Sequence, residues 1–200
     1  MVTVRTPYEH LAVCLPLSGV RDPLDRAVVV DQPPDLVIAL IDAVGQGEPA
    51  RAAVERAAAV LDPTRQSFAE AFVAVHQAVD GSQGVSLAIA RLSSDRRILE
   101  FAGIGRVYGG LTGPTGGRLL NSVPGTVGLG KPKVPPTERH TYRPGETLVL
   151  LADGQVDVWD LSRLWQAPRE PFDALVRRLA ATGAAGRLPE DASIVAARSR

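Results

Sequence analysis

The stretch LVIALIDAVGQGEPA, residues 36–50, decides how the chain is read. Six consecutive apolar residues end on one carboxylate, Asp42. An unbroken apolar run bounded by turn residues reads as a buried strand. Gly45 and Gly47 permit a sharp corner after it. Pro49 suits the first turn of a helix, where its missing N–H costs no hydrogen bond. The reading is a strand, an acid at its end, a glycine corner and a helix.

On the N-terminal side, HLAVCLPL (10–17) and RAVVVD (26–31) read as strands, with QPPD as the turn before residue 36. Tight links between three short strands predict an antiparallel meander, because parallel neighbours need long crossovers. On the C-terminal side the period changes to that of helices, over about 49–61 and 66–79. Phe68, Phe72, Val75, His76 and Val79 share one face of the second. Strands return in GVSLAIARLSS (84–94), RILEFAGIG (97–105) and RVYGGLT (106–112), and GPTGG turns the chain into RLLNS. HTYRPGETLVLLADG (140–154) reads as a hairpin around Pro144-Gly145. A helix over 171–182, with Phe172, Leu175, Val176 and Leu179 on one face and Gly183 as its cap, precedes a last strand, ASIVAAR (192–198). Strands group with strands and helices with helices, which predicts an α+β fold of two mainly antiparallel sheets with helices outside. The longest irregular stretch is 121–139.

Residues 1–200 read as a single domain. Acidic and basic residues balance at 22 each, which gives no electrostatic reason to expect nucleic acid or an anionic membrane as partner. Cys14 is the only cysteine, so no internal disulfide forms, and a cytoplasmic setting is expected. No apolar run approaches the ~20 residues of a membrane helix.

Asp42 has counterparts. LVLLADG (148–154) is a second apolar run that ends on an acid, Asp153, and Glu190-Asp191 directly precede the last strand. Each taken singly is most simply a turn or cap residue. Together they are more specific. Neighbouring strands lie ~5 Å apart, so acids at their ends can converge. Converging carboxylates repel unless they share protons or a cation. Oxygen ligands without His or Cys suit hard cations, Mn²⁺ or Mg²⁺.

In this order the segments resemble the SpoIIE-type branch of the metal-dependent (PPM, 2C-type) Ser/Thr protein phosphatases. IDAVGQG is similar to that branch's D-x-x-G-H-G motif, LVLLADGQVD to its T-D-G segment and EDASIVAAR to its closing D-D strand. LEFAGIGRVYGGL resembles the N-A-G strand pair between them, PGTVGLG the loop that follows, and LSGVRD the S-G-D element. The matches run from about residue 10 to 198, and the short form is most similar to RsbX-like stressosome phosphatases. The resemblance implies a four-layer αββα sandwich and hydrolysis of phosphoserine or phosphothreonine on a STAS-domain or stressosome-type protein by a metal-activated water. It implies two ions, with Asp42 bridging them, the Ala43 carbonyl completing one shell, Asp153 on the second ion, and Glu190 or Asp191 as a further ligand.

The chain departs from the pattern. Val20 stands where the family has the S-G-D acid, with Asp22 and Asp25 both near enough in sequence to replace it. Gln46 replaces a histidine, and Ala43 a glycine found in some relatives. These departures keep open a second reading, a degenerate domain that binds a phosphoprotein or kinase partner without hydrolysis. Among the remaining polar residues, His76 reads as a satisfied core histidine, Arg106 as a surface arginine that could face a phosphate, and Cys14 as a small strand residue. Asp157 reads as a turn residue or an additional family acid. Trp159 and Trp165 read as cover for the core edge.

Overall fold

The computed structural model describes residues 7–15, 23–62, 66–113, 116–152, 171–177 and 192–199. In chain order these form β1 (Tyr8–Leu15), β2 (Arg26–Gln32), β3 (Asp35–Ala43), α1 (Gly47–Val60), α2 (Phe68–Val79), β4 (Val85–Ser93), β5 (Ile98–Ile104), β6 (Val107–Gly113), β7 (Gly116–Leu120), β8 (Glu138–Thr141), β9 (Thr147–Ala152) and β10 (Ala192–Ser199). Residues 172–177 are helical.

The apolar run of β3 is continuous because both of its faces are buried. Successive side chains of a strand alternate between faces. Leu36, Ile38 and Leu40 enter the core between the sheets, with Phe101, Leu148, Leu150 and Val195. Val37, Ala39 and Ile41 face the other way, under Ala53, Val54 and Ala57 of α1 and Phe72 and Val75 of α2. A third core joins Val149, Leu151, Ile194 and Ala196 to Phe172, Leu175 and Val176. The layers are therefore α1/α2, the sheet β2-β3-β4-β5-β8, the sheet β1-β10-β9-β6-β7, and the helical turn at 172–177. This is the expected αββα sandwich, and every strand pair in it is antiparallel. A capping box between Ser67 and Glu70 starts α2. No helix among the described residues is long and apolar enough to cross a membrane.

Two expectations are corrected. The first three strands are not a meander. β2 and β3 pair, but β1 pairs along its length with β10, from Tyr8↔Ser199 to Leu15↔Ala192, in the other sheet. Nor do the arms of 140–154 form a hairpin: β8 pairs with β5, and β9 lies between β10 and β6. The backbone explains the second difference. Tyr142 N–H donates to Arg97 O beside β5 in one sheet, and Gly145 N–H to Ser199 O at the end of β10 in the other. The turn at Pro144-Gly145 thus carries the chain across the sandwich. The hydroxyls of Tyr8 and Tyr142 meet at 2.9 Å beside this crossing.

Phe101 is fully buried between the sheets, beneath Gly103 and Gly109, whose missing side chains make room for its ring. Phe101→Ala is expected to cost about 3–5 kcal/mol, a large share of a typical domain's stability. The cost would be read as a lower urea midpoint.

Candidate active site

Asp42 sits near the end of β3, and its surroundings follow from register. Arg26 of β2 lies opposite Ile41, so Asp25, one residue earlier, falls against Asp42. Asp25 is buried, at 5% exposure, and its Oδ1 accepts a long hydrogen bond of 3.4 Å from the Ala43 N–H. On the other flank Ser86 of β4 is the register partner of Asp42. The Ser86 hydroxyl donates to the Asp42 carboxylate and accepts from the Arg106 N–H at 3.2 Å.

Burial, and then the neighbouring charge of Asp25, push the Asp42 carboxyl up to about 8. The two acids also share a hydrogen bond, which favours the protonated form. The Ser86 hydroxyl and the Arg106 guanidinium oppose the shift without cancelling it.

Two glycines shape the site. Gly45, at φ +90°, turns the chain away from β3 and leaves room for the Gln83 side chain to lie across the corner. Gly105, at φ +91°, links the two sheets, and a Cβ there would stand 2.6 Å from Ser86 Oγ and 3.1 Å from the Gly125 carbonyl. The link is short. Ile104 of β5 is opposite Leu87, next to Ser86, and Val107 of β6 is opposite Ala152. Three residues span at most about 11 Å. The Asp42 end of one sheet and the Ala152 end of the other therefore lie at the same edge of the sandwich. Ala152 precedes Asp153 in sequence, and β10, whose first residue Ala192 follows Asp191, pairs with β9.

Of the residues singled out from sequence, Asp42 and Ala43 stand at this edge. Asp153, Glu190 and Asp191 lie outside the described residues, as do Val20, Asp22, Asp157, Trp159 and Trp165. Of the two acids that could replace the one missing at Val20, Asp25 is the one seen beside Asp42. Among the described residues no group of three or more His, Cys, Asp and Glu side chains forms a metal cage. The Asp25–Asp42 pair nonetheless fits a hard divalent cation: all its donors are oxygens, and the ionisation of Asp42 is opposed by burial and by the Asp25 charge, both of which a cation would offset.

Arg106 is exposed and its charge reaches Asp42, so it is more than a distant surface arginine. Ser86 was not singled out from sequence. No signal in the sequence marks it; its role comes from lying across the ladder from Asp42. His76 is buried, and its Nδ1 accepts from the Gly128 N–H at 3.1 Å, as a satisfied core histidine should. Cys14 is half-buried in β1, and burial raises its thiol pKa, which disfavours a nucleophilic thiolate.

Two outcomes follow from this geometry. In metal-free protein Asp42 keeps its proton up to about pH 8, whereas in the unfolded chain it ionises near ~4. The folded state then binds more protons between these limits, so stability is full at low pH and declines as pH rises towards 8. In EDTA, Asp42→Asn should flatten this decline and raise Tm at pH 8; Mn²⁺ should raise Tm of the wild type but not of the variant. Separately, Gly105→Ala should displace Ser86 and strain a positive φ, weakening Mn²⁺ binding by calorimetry on the order of 10-fold or more.

The family model for stage II sporulation protein E matches residues 32–200. No curated protein matches the chain. Among solved structures, RsbX in complex with magnesium superposes with a TM-score of 0.85 at 17% identity, covering 96% of this chain and 96% of that one. The PP2C phosphatase domain with a regulatory fragment of SpoIIE from Bacillus subtilis gives 0.78 at 14% identity, covering 96% of this chain and 61% of that one. The catalytic domain of the serine/threonine phosphatase PstP with two manganese ions gives 0.74 at 15% identity, covering 96% and 97%.

Proposed function

The chain belongs to the SpoIIE family and has the fold of PP2C-type protein phosphatases, and from that premise we propose that it hydrolyses phosphoserine or phosphothreonine on a regulatory protein, with Mn²⁺ or Mg²⁺ as cofactor. The observation that carries this reading is the Asp25–Asp42 carboxylate pair, held at the edge where the two sheets are joined.

Asp42, the Ala43 carbonyl, Asp153 and Glu190 or Asp191 would hold two ions, with Asp25 taking the place of the acid missing at Val20. Bound divalent ions supply Lewis acidity, which lowers the pKa of water and neutralises charge on phosphoryl oxygens. The chain's own residues do the rest. β3, packed on both faces, fixes Asp42. The Ser86 hydroxyl orients its carboxylate. The Arg106 guanidinium, whose charge reaches Asp42, meets the anionic phosphoryl group, where a planar fork of donors suits phosphate oxygens. No protein nucleophile is needed, in keeping with the raised thiol pKa of Cys14.

The phosphoprotein is proposed to be a STAS-domain or stressosome-type regulator in the cytoplasm, since RsbX and a chain from a study of the bacterial stressosome are among the structural relatives. Residues 1–200 are taken to act as one domain. Val20 and Gln46, which replace the family's acid and histidine, favour a second reading, a domain that binds the phosphoprotein and does not turn it over.

Phosphate release from a phosphoserine peptide separates the two. Wild-type protein with Mn²⁺ should release phosphate, and Asp42→Asn and Asp153→Asn should each lose at least about 100-fold in kcat/KM, the scale of removing a group that stabilises transition-state charge. No release with either metal, alongside retained peptide binding, establishes the binder instead.

A further inference from the structure

Lys131 and Lys133 are the only lysines in the chain; histidines apart, every other basic residue is an arginine. Both stand on a single exposed hexapeptide, Leu129-Gly-Lys-Pro-Lys-Val134. Leu129 is 51% and Val134 48% exposed, the two most open large apolar side chains among the described residues; the next, Leu119, is 38% exposed. No acid occurs between Asn121 and Thr137, so nothing within the segment neutralises the two ammonium groups.

This tip is built out from the site. The Lys133 ammonium donates to the Pro124 carbonyl at 2.7 Å, which uses one of its three N–H groups. A Cβ on Gly125 would lie 3.9 Å from the same ammonium, and the Gly125 carbonyl packs against Gly105. Gly105 in turn abuts Ser86, which bonds Asp42 and the Arg106 N–H. Lys133 is thus joined through Gly125 and Gly105 to Ser86 and Arg106, and Lys131, Leu129 and Val134 are exposed on the same hexapeptide. An irregular loop would be a poor platform if it moved, but its base is fixed. Val127 and Val85 exchange two backbone hydrogen bonds of 2.9 Å, Val123 bonds Gly103 and Gly105, and His76 holds Gly128.

We propose that the 129–134 tip is a docking surface for the phosphoprotein itself: it takes an acidic segment with an apolar side chain that flanks the phosphorylated residue. The proposal rests on the phosphatase-fold reading above, because it needs a phosphoryl group at Asp42 and Arg106. Charge complementarity carries it. A phosphate at the edge and carboxylates further along the same peptide would meet cations at both places, while the peptide's apolar residue covers Leu129 or Val134. Exposed ion pairs are individually weak and salt-sensitive, so they select among partners and speed encounter more than they add affinity.

The test uses two synthetic peptides that carry a non-hydrolysable phosphonate analogue of phosphoserine. One has Asp, Glu and Leu on one flank; the other has Asn, Gln and Leu there. Binding to the full chain with Mn²⁺ is followed by fluorescence anisotropy, and turnover of p-nitrophenyl phosphate is measured in parallel. The acidic peptide should bind about 3- to 10-fold more tightly at low salt, and the advantage should fade as salt rises. Lys131→Ala/Lys133→Ala should erase the difference and leave p-nitrophenyl phosphate turnover and Tm unchanged. Leu129→Ser/Val134→Ser should weaken both peptides alike. Equal binding of the two peptides by wild type, or a flank preference that survives loss of the lysines, overturns the proposal. So does lysine-dependent sedimentation with phosphatidylserine vesicles without any flank preference. Absent turnover with the flank preference intact would overturn hydrolysis and leave docking standing.

Discussion

Two carboxyl groups that repel each other are pressed together by a hydrogen-bond ladder that cannot yield. Asp25 and Asp42 face one another because β2 and β3 are in register from Arg26↔Ile41 to Gln32↔Asp35, and a slip of one residue would turn every core side chain of β3 to the wrong layer. The acids cannot separate unless the central strand leaves its place. Burial of Asp42, added to by that proximity, leaves a carboxyl that resists ionisation up to about pH 8. Stored electrostatic cost at a rigid position is what a cation site needs before the cation arrives.

The rigidity comes from β3 being buried on both faces, between the sheets on one side and beneath α1 and α2 on the other. Small residues make this possible: Ala39 in the strand and Ala53 and Ala57 in α1 let helix and sheet approach closely. A strand so enclosed has little freedom to relax when a residue at its end is changed. That is why Ser86 and Arg106, which only lean on Asp42, are expected to influence the site without touching the fold.

Local periodicity carries information about an element's type and its buried face, and here it located β2, β3, β4 and both helices within a few residues. It does not carry an element's partner. β1 and the 140–154 segment were placed beside their chain neighbours because tight links favour adjacency, yet both switch sheets. The same limit governed the site. Asp42 was legible because acids recur at the ends of apolar runs, at Asp42, Asp153 and Glu190-Asp191. Asp22 and Asp25 were equivalent until register brought Asp25 opposite Asp42. Ser86 was invisible because a serine in a strand breaks no pattern; only its position across the ladder gives it a role.

Gly105 shows how the two halves of the molecule meet. It must be glycine twice over: its φ is positive, and the space where a side chain would stand is taken by Ser86 and the Gly125 carbonyl. Through it, the edge of one sheet, the edge of the other and the base of the 121–137 segment are locked at one point. That segment lacks regular structure, but its anchors at Val123, Val127 and Gly128 leave only the tip beyond them exposed as a run. A surface presented on a fixed base loses little conformational freedom when something docks on it, so even weak contacts there are not spent on ordering the loop. The same junction that positions the reactive carboxylate therefore also fixes where a bound protein would lie relative to it.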